Sequence, residues 1–374
     1  ALGLMRFAMS HLSLKGIIAV MRLERLTLDN FRSYKKKVFH FGQATAIVAQ
    51  NGAGKTNILE AIYLLATGMS ERAGETSEMI KFEADIGSVT GVVEQNEERI
   101  EISVVLTKGI YMGKRTPKRR YLVDGVARTR SAMVGKMAVV LFRPEDMRLI
   151  EGSPSRRRSY LDETLSMAHP EYARALGVYE ASLKRRNRLL DAIRDGLARR
   201  EQLSYWDQSI IKNGNILTDY RRVLFDYLSK VRTSFGVYGF EYDASTISPA
   251  RLAQYSEAEV AVGYTLVGPH KDDFRIISNH KLSNSQIGEH RDLMKYGSRG
   301  EQRLAVLFLK IGAMQYVEER LKVKSILLLD DIFSELDQIH REEVVAMMSG
   351  RQTIVTSAEE DVVGMVKGAE VIRL

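Results

Sequence analysis

The sequence predicts a mixed α/β fold in which the two ends of the chain build one head and a short helical unit is inserted between them. Three observations carry this expectation. Residues 44–67, ATAIVAQNGAGKTNILEAIYLLAT, read as an apolar strand, a glycine-rich turn and an amphipathic helix. Residues 325–331, SILLLDD, read as a buried strand that ends in two acids. From Ser155 onward the pattern between them is helical for about 75 residues.

The first stretch carries the clearest chemistry. Ala49-Gln50-Asn51-Gly52-Ala53-Gly54-Lys55-Thr56 has the spacing of a phosphate-binding P-loop, with Ala49 in place of its first glycine and Asn57 following inside the helix. Gly52 and Gly54 let the backbone fold tightly and turn its N–H groups inward. Lys55 reaches the β- and γ-phosphates, and the Thr56 hydroxyl ligates Mg²⁺. The helix adds its N-terminal dipole. Ile58, Leu59, Ile62 and Leu65 recur at helical spacing, so the strand-turn-helix context is complete. The expected ligand is a nucleoside triphosphate with Mg²⁺.

Composition sets the outer bounds. A chain of 374 residues, 45% hydrophobic and 27% charged, has the make-up of a soluble globular protein of two or three domains. Fifty-five basic against 47 acidic residues give a net charge of +8, which favours an anionic partner without naming one. With no cysteine there are no disulfides and no thiolate metal sites, as in a cytoplasmic protein. No apolar run approaches the roughly 20 residues of a membrane span.

In chain order, residues 1–20 contain no acid and read as an extension appended ahead of Met21, with a targeting peptide as the alternative. Residues 22–29 alternate imperfectly as a strand, and Asn30–Tyr34 follows as a loop in which Arg32 is either a phosphate contact or an ordinary turn arginine. Strand signals recur at 88–94 and 99–106. Between Lys108 and Arg130 there are eight basic residues and one acid, Asp124, with Tyr111 and Tyr121 interleaved. This reads as a basic hairpin that neutralises DNA phosphates through Lys114, Arg115, Lys118, Arg119 and Arg120, or as a solvated loop. Residues 137–142 are a buried strand candidate, and Pro144 opens a short helix.

The helical stretch has two seams. Tyr172, Leu176, Tyr179, Leu183, Leu190, Ile193 and Leu197 form one, with Arg186 in its gap. Leu203, Trp206, Ile210, Leu217, Tyr220, Leu224, Tyr227 and Val231 form the other, with Asn213 in its gap. Joined near 198–202, they make a short antiparallel hairpin. Residues 156–232 carry 16 basic and 10 acidic residues, which suits a DNA-facing surface or a solvated face equally. Strand character returns at 262, and Gly268-Pro269 turns the chain before Asp272 and Asp273. That acid pair is a weak metal candidate with Lys271 and Arg275 as nearby partners, and His270 reads as a structural hydrogen-bonder. Ser298-Arg-Gly300 opens an amphipathic helix as a further anion site. Asp330 then holds the Mg²⁺ bound by Thr56, and Asp331 polarises the attacking water. The expected units are 1–20 extension, 21–155 head, 156–261 helical insert and 262–374 head.

The ordered set Asn30-Phe-Arg-Ser-Tyr34, the P-loop, Leu141-Phe-Arg-Pro-Glu-Asp146, Gly152-Ser-Pro-Ser-Arg-Arg-Arg158, Gly268-Pro-His-Lys-Asp-Asp273, Ser298-Arg-Gly-Glu-Gln-Arg303 and Leu328-Leu-Asp-Asp-Ile-Phe-Ser-Glu-Leu-Asp337 resembles the bacterial RecF family. The resemblance implies an ABC/SMC-like P-loop ATPase head that binds ATP and Mg²⁺, forms a homodimer with ATP and clamps duplex DNA at single-strand/double-strand junctions. It implies work with RecR and RecO-like mediators to help load recombinase. It also implies that Ser298 and Gly300 of one protomer cap the γ-phosphate held by the other, and that hydrolysis is slow and switch-like. Two other readings stay open: the ATPase subunit of a different SMC-like nuclease or defence system, and a transporter cassette.

Overall fold

The computed structural model describes residues 19–233, 236–278, 291–335, 338–360, 363–364, 366 and 368–374. The expected extension over 1–20 falls outside these residues as far as 18, and so do Leu336 and Asp337 of the last motif. Ala19 and Val20 already belong to the first strand, where they pair with Val323 and Lys324.

Five parallel strands form the nucleotide-facing sheet, in the order Val139–Phe142, Ile326–Asp330, Thr353–Ser357, Ala44–Val48, Glu370–Arg373. Every neighbouring pair in it is parallel. The apolar character of the four strands other than Glu370–Arg373 is explained by burial on both faces, whereas Glu370–Arg373 is a partly exposed edge strand. A second, antiparallel sheet is built on Ala19–Phe31, which pairs with Tyr34–His40 on one side and Ile86–Gln95 on the other. Glu98–Thr107, Arg119–Val123 and Val126–Arg128 extend it.

The P-loop helix, Lys55–Thr67, packs against both sheets, and every residue from Ile58 to Thr67 is buried. Apart from Glu60 and Thr67 this stretch is apolar or aromatic on every side, as a helix inside a core must be. Gly91 permits the approach: a Cβ there would lie 2.6 Å from Leu65 Cδ1. The imperfect alternation of residues 22–29 also has a cause. A bulge between Leu23 and Arg25 resets the register, so Leu23, Leu26 and Leu28 are all fully buried. Asn30 and Phe31 belong to the strand and its turn rather than to the open loop expected at 30–34.

The helical unit comprises Pro154–Ala168, Pro170–Arg194 and Ser204–Leu228, the last two forming the antiparallel hairpin. Tyr172, Tyr179, Leu190, Ile210, Leu217 and Leu224 are its buried seam, whereas Leu197 is 82% exposed beyond the helix end. Arg186 fills its gap as a buried cation, paired with Asp207 at 2.6 Å and Glu259 at 2.8 Å.

The expected boundary at 261/262 does not separate units. Tyr238–Asp243 pairs with Asp273–Ser278, which pairs in turn with Arg291–Asp292, so one small sheet crosses it. That first strand and the helix Pro249–Val262 are new elements of the insert. The basic stretch is not one hairpin either. A two-residue-per-strand ribbon, Ile110–Tyr111 with Lys114–Arg115, sits at the tip, and the remainder joins the antiparallel sheet.

Candidate nucleotide-binding site

The parallel sheet brings Val48, Ser357 and Asp330 to the same edge, at the carboxyl ends of neighbouring strands, where open α/β sheets bind ligands. Gly52 and Gly54 have φ of +85° and +106°, and a Cβ on Gly54 would meet the Tyr34 hydroxyl at 2.8 Å. Both glycines are therefore required by the turn. Ala49 follows the buried strand Ala44–Val48, its N–H donating to the Ser357 carbonyl at 3.2 Å. Its methyl is accommodated in the sheet edge.

Lys55 is 6% exposed and folds back over its own loop. Its Nζ donates to the carbonyls of Ala49 at 2.5 Å and Gln50 at 3.2 Å and to Asn51 Oδ1 at 3.4 Å. A cation so held is positioned above the loop's inward backbone, where phosphate oxygens compete with neutral carbonyls for it. Residues 274 positions apart meet here: Thr56 Oγ1 donates to Asp330 Oδ1 at 3.3 Å, and Thr356 Oγ1 donates to the same oxygen at 2.6 Å. A hydroxyl beside a buried carboxylate is the oxygen donor set that suits Mg²⁺. Asp331 follows the strand with φ +50° and donates its N–H to the Thr356 carbonyl at 3.2 Å.

Three expected residues take other positions. Arg32 does not reach toward the phosphate loop. Its guanidinium donates twice to Glu60, at 2.6 and 3.0 Å, and once to the Glu78 carbonyl at 2.7 Å. The cause is Glu60, whose side chain is 3% exposed on the P-loop helix and needs cations; Arg72 supplies a second at 3.3 Å. Asn57 donates to Ser33 Oγ and accepts from Arg72 rather than lining the loop. Arg119 is partly buried and donates to Thr76 Oγ1 at 3.0 Å and the Gly68 carbonyl at 3.3 Å, so it fastens the sheet. Lys114, Arg115 and Arg120 are exposed, and Lys118 is exposed with Glu75 at 3.7 Å.

The second anion turn is well formed. Ser298 caps the helix Arg299–Leu321, its Oγ accepting from Glu301 N, while Glu301 Oε2 accepts from Ser298 N at 2.7 Å. These bonds and Arg291 hold the Glu301 carboxyl below the usual carboxylate range, against the opposing effect of burial. Ser298 and Gly300 are exposed, and a Cβ on Gly300 would touch nothing. Among the described residues no hydrogen bond or ion pair joins this turn to the P-loop of its own chain.

The acid pair at 272–273 is not free for a metal. Asp272 accepts from Arg221 and the Ser245 N–H, both at 2.7 Å, and from Tyr242. Asp273 takes a bidentate pair from Arg157 at 2.6 and 2.9 Å. The partners expected from sequence turn elsewhere: Lys271 lies over the Tyr264 ring and Arg275 pairs with Glu241. His270 bridges Tyr179, at 2.7 Å, and the Thr265 carbonyl, at 3.0 Å. Burial holds its imidazole neutral down to about 4. Glu60, Arg72 and Glu71, which line the recess beside Thr56 together with Arg143 of the Leu141–Asp146 motif, carried no sequence signal, because their roles arise from pairings between distant segments.

A P-loop and an acidic strand end joined across one intervening strand, with a helical insert and a capped Ser-x-Gly turn, define an ABC/SMC-type ATPase head. The family model described as "RecF/RecN/SMC N terminal domain" matches residues 22–373. The chain is 32% identical over 349 residues to the DNA replication and repair protein RecF of Lachnoclostridium phytofermentans, covering 90% of this chain and 92% of the relative. It is 34% identical over 374 residues to RecF of Herpetosiphon aurantiacus, covering 91% and 94%. The chain belongs to the RecF family. A solved structure of the recombination mediator protein RecF with ATP, in the RecFOR pathway, is similar with a TM-score of 0.81 and 27% identity, covering 98% of this chain and 97% of that one. An Smc head domain from Pyrococcus furiosus, 20% identical with a TM-score of 0.50 over 94% of this chain and 93% of that one, shares the fold.

Proposed function

We propose that this chain is an ATP-binding DNA replication and repair protein that works as a nucleotide-gated clamp. The observation that carries the reading is the meeting of Thr56 and Asp330, which builds a Mg²⁺-compatible donor set at the P-loop from opposite ends of the chain. The names of its relatives, DNA replication and repair protein and recombination mediator protein, supply the setting. Bound Mg²⁺ neutralises phosphate charge. Lys55 leaves its carbonyl partners for the β/γ-phosphates, and Asp331 orients the attacking water. Ser298 and Gly300, exposed and without partners on their own P-loop, cap the γ-phosphate of a second copy, so ATP joins two heads and slow hydrolysis parts them. The exposed Lys114, Arg115 and Arg120 contribute to duplex DNA binding near single-strand gaps, with RecR and RecO-like mediators as partners and the cytoplasm as the setting.

The test is duplex-DNA binding by fluorescence anisotropy at physiological salt, with Mg-ATP and without nucleotide. Markedly tighter binding with ATP is expected. Equal affinity in both states, or no binding in either, defeats the clamp.

A further inference from the structure

We infer that the apolar tip of the small ribbon, Ile110 and Met112, seats on the open face of the last base pair where duplex DNA meets a single-strand gap. The inference rests on the duplex-DNA reading of Lys114 and Arg115. It adds the residues that tell an interrupted duplex from an intact one.

The ribbon is clasped at its base. Thr107 ends the strand Glu98–Thr107 and donates its N–H to the Lys118 carbonyl at 2.9 Å. Its Oγ1 donates to the Pro117 carbonyl at 2.9 Å and accepts from the Gly109 N–H at 3.1 Å, and Thr116 N–H donates to the Gly109 carbonyl at 3.0 Å. Beyond this clasp Ile110 pairs with Arg115 and Tyr111 with Lys114. Paired residues share a face and successive ones alternate, so one face shows Ile110 beside Arg115 and the other Tyr111 beside Lys114. Met112 and Gly113 close the turn with φ of +48° and +74°. Two successive positive φ values are the pattern of a type I′ hairpin turn, for which Asn-Gly is the favoured pair. A methionine in the left-handed region is sterically disfavoured, and at 82% exposure Met112 gains little from packing in return. Ile110, beside it, is 61% exposed. Folding therefore accounts for neither side chain, and a ligand does.

Charge selects the ligand. No acid lies between Lys108 and Arg120, and Lys114 and Arg115 make no ion pair among the described residues. An apolar tip framed by free cations fits a partner whose apolar surface is framed by negative charge. Along an intact duplex the base faces are stacked out of reach, and a minor groove about 6 Å wide does not admit a two-stranded ribbon. At a gap the last base pair exposes one face, with backbone phosphates at its rim. Ile and Met are side chains that DNA-binding proteins press against unstacked base steps, while Lys and Arg hold the phosphates. The cations thus position the ribbon on any duplex, and the tip supplies the preference for an interruption.

The experiment uses the full chain with Mg-ATP and measures affinity by anisotropy for a duplex closed by loops at both ends, intact or interrupted by a single-strand gap. Ile110→Thr/Met112→Asn keeps a β-branched residue in the strand, supplies the residue the turn prefers and alters no charge. The parent is expected to favour the gapped DNA by roughly fivefold or more, and the double variant to bring that ratio to about one, the loss falling on the gapped DNA with the salt slope unchanged. Lys114→Ala/Arg115→Ala should instead weaken both DNAs and lower the salt slope while the ratio persists. A parent that binds intact and gapped DNA equally overturns the tip's role, as does a double variant that keeps the parental ratio or loses affinity for both DNAs alike. Capture of the parent, and not of the double variant, by phosphatidylglycerol vesicles without any preference for gapped DNA would assign the tip to a membrane surface and overturn it too. A parent that binds neither DNA sinks the proposed function, and the tip's role with it.

Discussion

Arg221→Met is the sharpest test of the buried ion pairs that hold the second hairpin helix in place. Arg221 reaches from the second hairpin helix to Asp272 and Asp162, both at 2.7 Å, and to the Pro269 carbonyl at 2.7 Å. Its side chain is 2% exposed and that of Asp272 is 0% exposed. Methionine keeps much of the stem and removes the charge, so Asp162, at 21% exposure, can be solvated while Asp272 cannot. Losing one partner of a buried pair costs about 3–5 kcal/mol. Burial raises the Asp272 carboxyl even with Arg221 in place, and the variant raises it further. A raised folded pKa means a stability contribution present below the unfolded value, near 3.9, and lost as pH climbs through the folded one. Urea unfolding followed by circular dichroism should therefore show a larger deficit at pH 8 than at pH 5. Arg221→Met/Asp272→Asn, which removes the stranded charge, should recover at least about 1 kcal/mol. A single variant within about 1 kcal/mol of the parent at pH 8, or a double variant no better than the single, refutes the reasoning.

Lys55→Ala should weaken ATP binding by about 10- to 100-fold, whereas Asp331→Asn should hold ATP and slow its hydrolysis by about 10²-fold or more; parental turnover in Asp331→Asn would remove its assigned role. Alanine at Lys114, Arg115 or Arg120 should lower the slope of log affinity against log salt by about 0.9 for each DNA phosphate left without its cation. Arg119→Ala should instead lower the melting temperature and leave that slope alone, and the reverse pattern would return Arg119 to the DNA surface. His270, held neutral to about 4 by burial, makes the fold lose stability as pH falls from about 6.5 toward 4, because the unfolded chain then binds the proton first. His270→Gln should flatten that limb of a melting-temperature profile, and an unchanged limb would assign the loss to other groups.

Much of the site is legible in the sequence because its signals are local. A glycine pair, a lysine and a threonine in one turn need no knowledge of the rest of the chain, and neither does an apolar strand that ends in acids. The hairpin seam is equally readable, since a 3.6-residue period is a property of one segment. What the sequence hides depends on partners far away. Arg32 reads as a phosphate neighbour because nothing in Asn30–Tyr34 announces Glu60, buried on another element. Asp272 reads as a partner of adjacent cations, whereas Arg221 approaches it from 51 positions away. Tyr238–Asp243 has a weak burial pattern and becomes a strand by pairing with Asp273–Ser278.

The P-loop strand lies between Thr353–Ser357 and Glu370–Arg373, so both of its neighbours are synthesised about 300 residues after it. At about 5–20 residues per second, a ribosome needs roughly 15–60 s to complete that interval. Throughout it, Ala44–Val48 has two unpaired edges, and its apolar side chains lack their final cover. The antiparallel sheet, by contrast, has nearly all its strands by residue 128 and can collapse first around Lys55–Thr67. Nucleotide cannot assist early folding, because Asp330 and Thr356 do not yet exist when the glycine turn emerges. The parallel sheet is thus the last structure to close, and the vulnerable period of this protein's life is the one before its tail arrives.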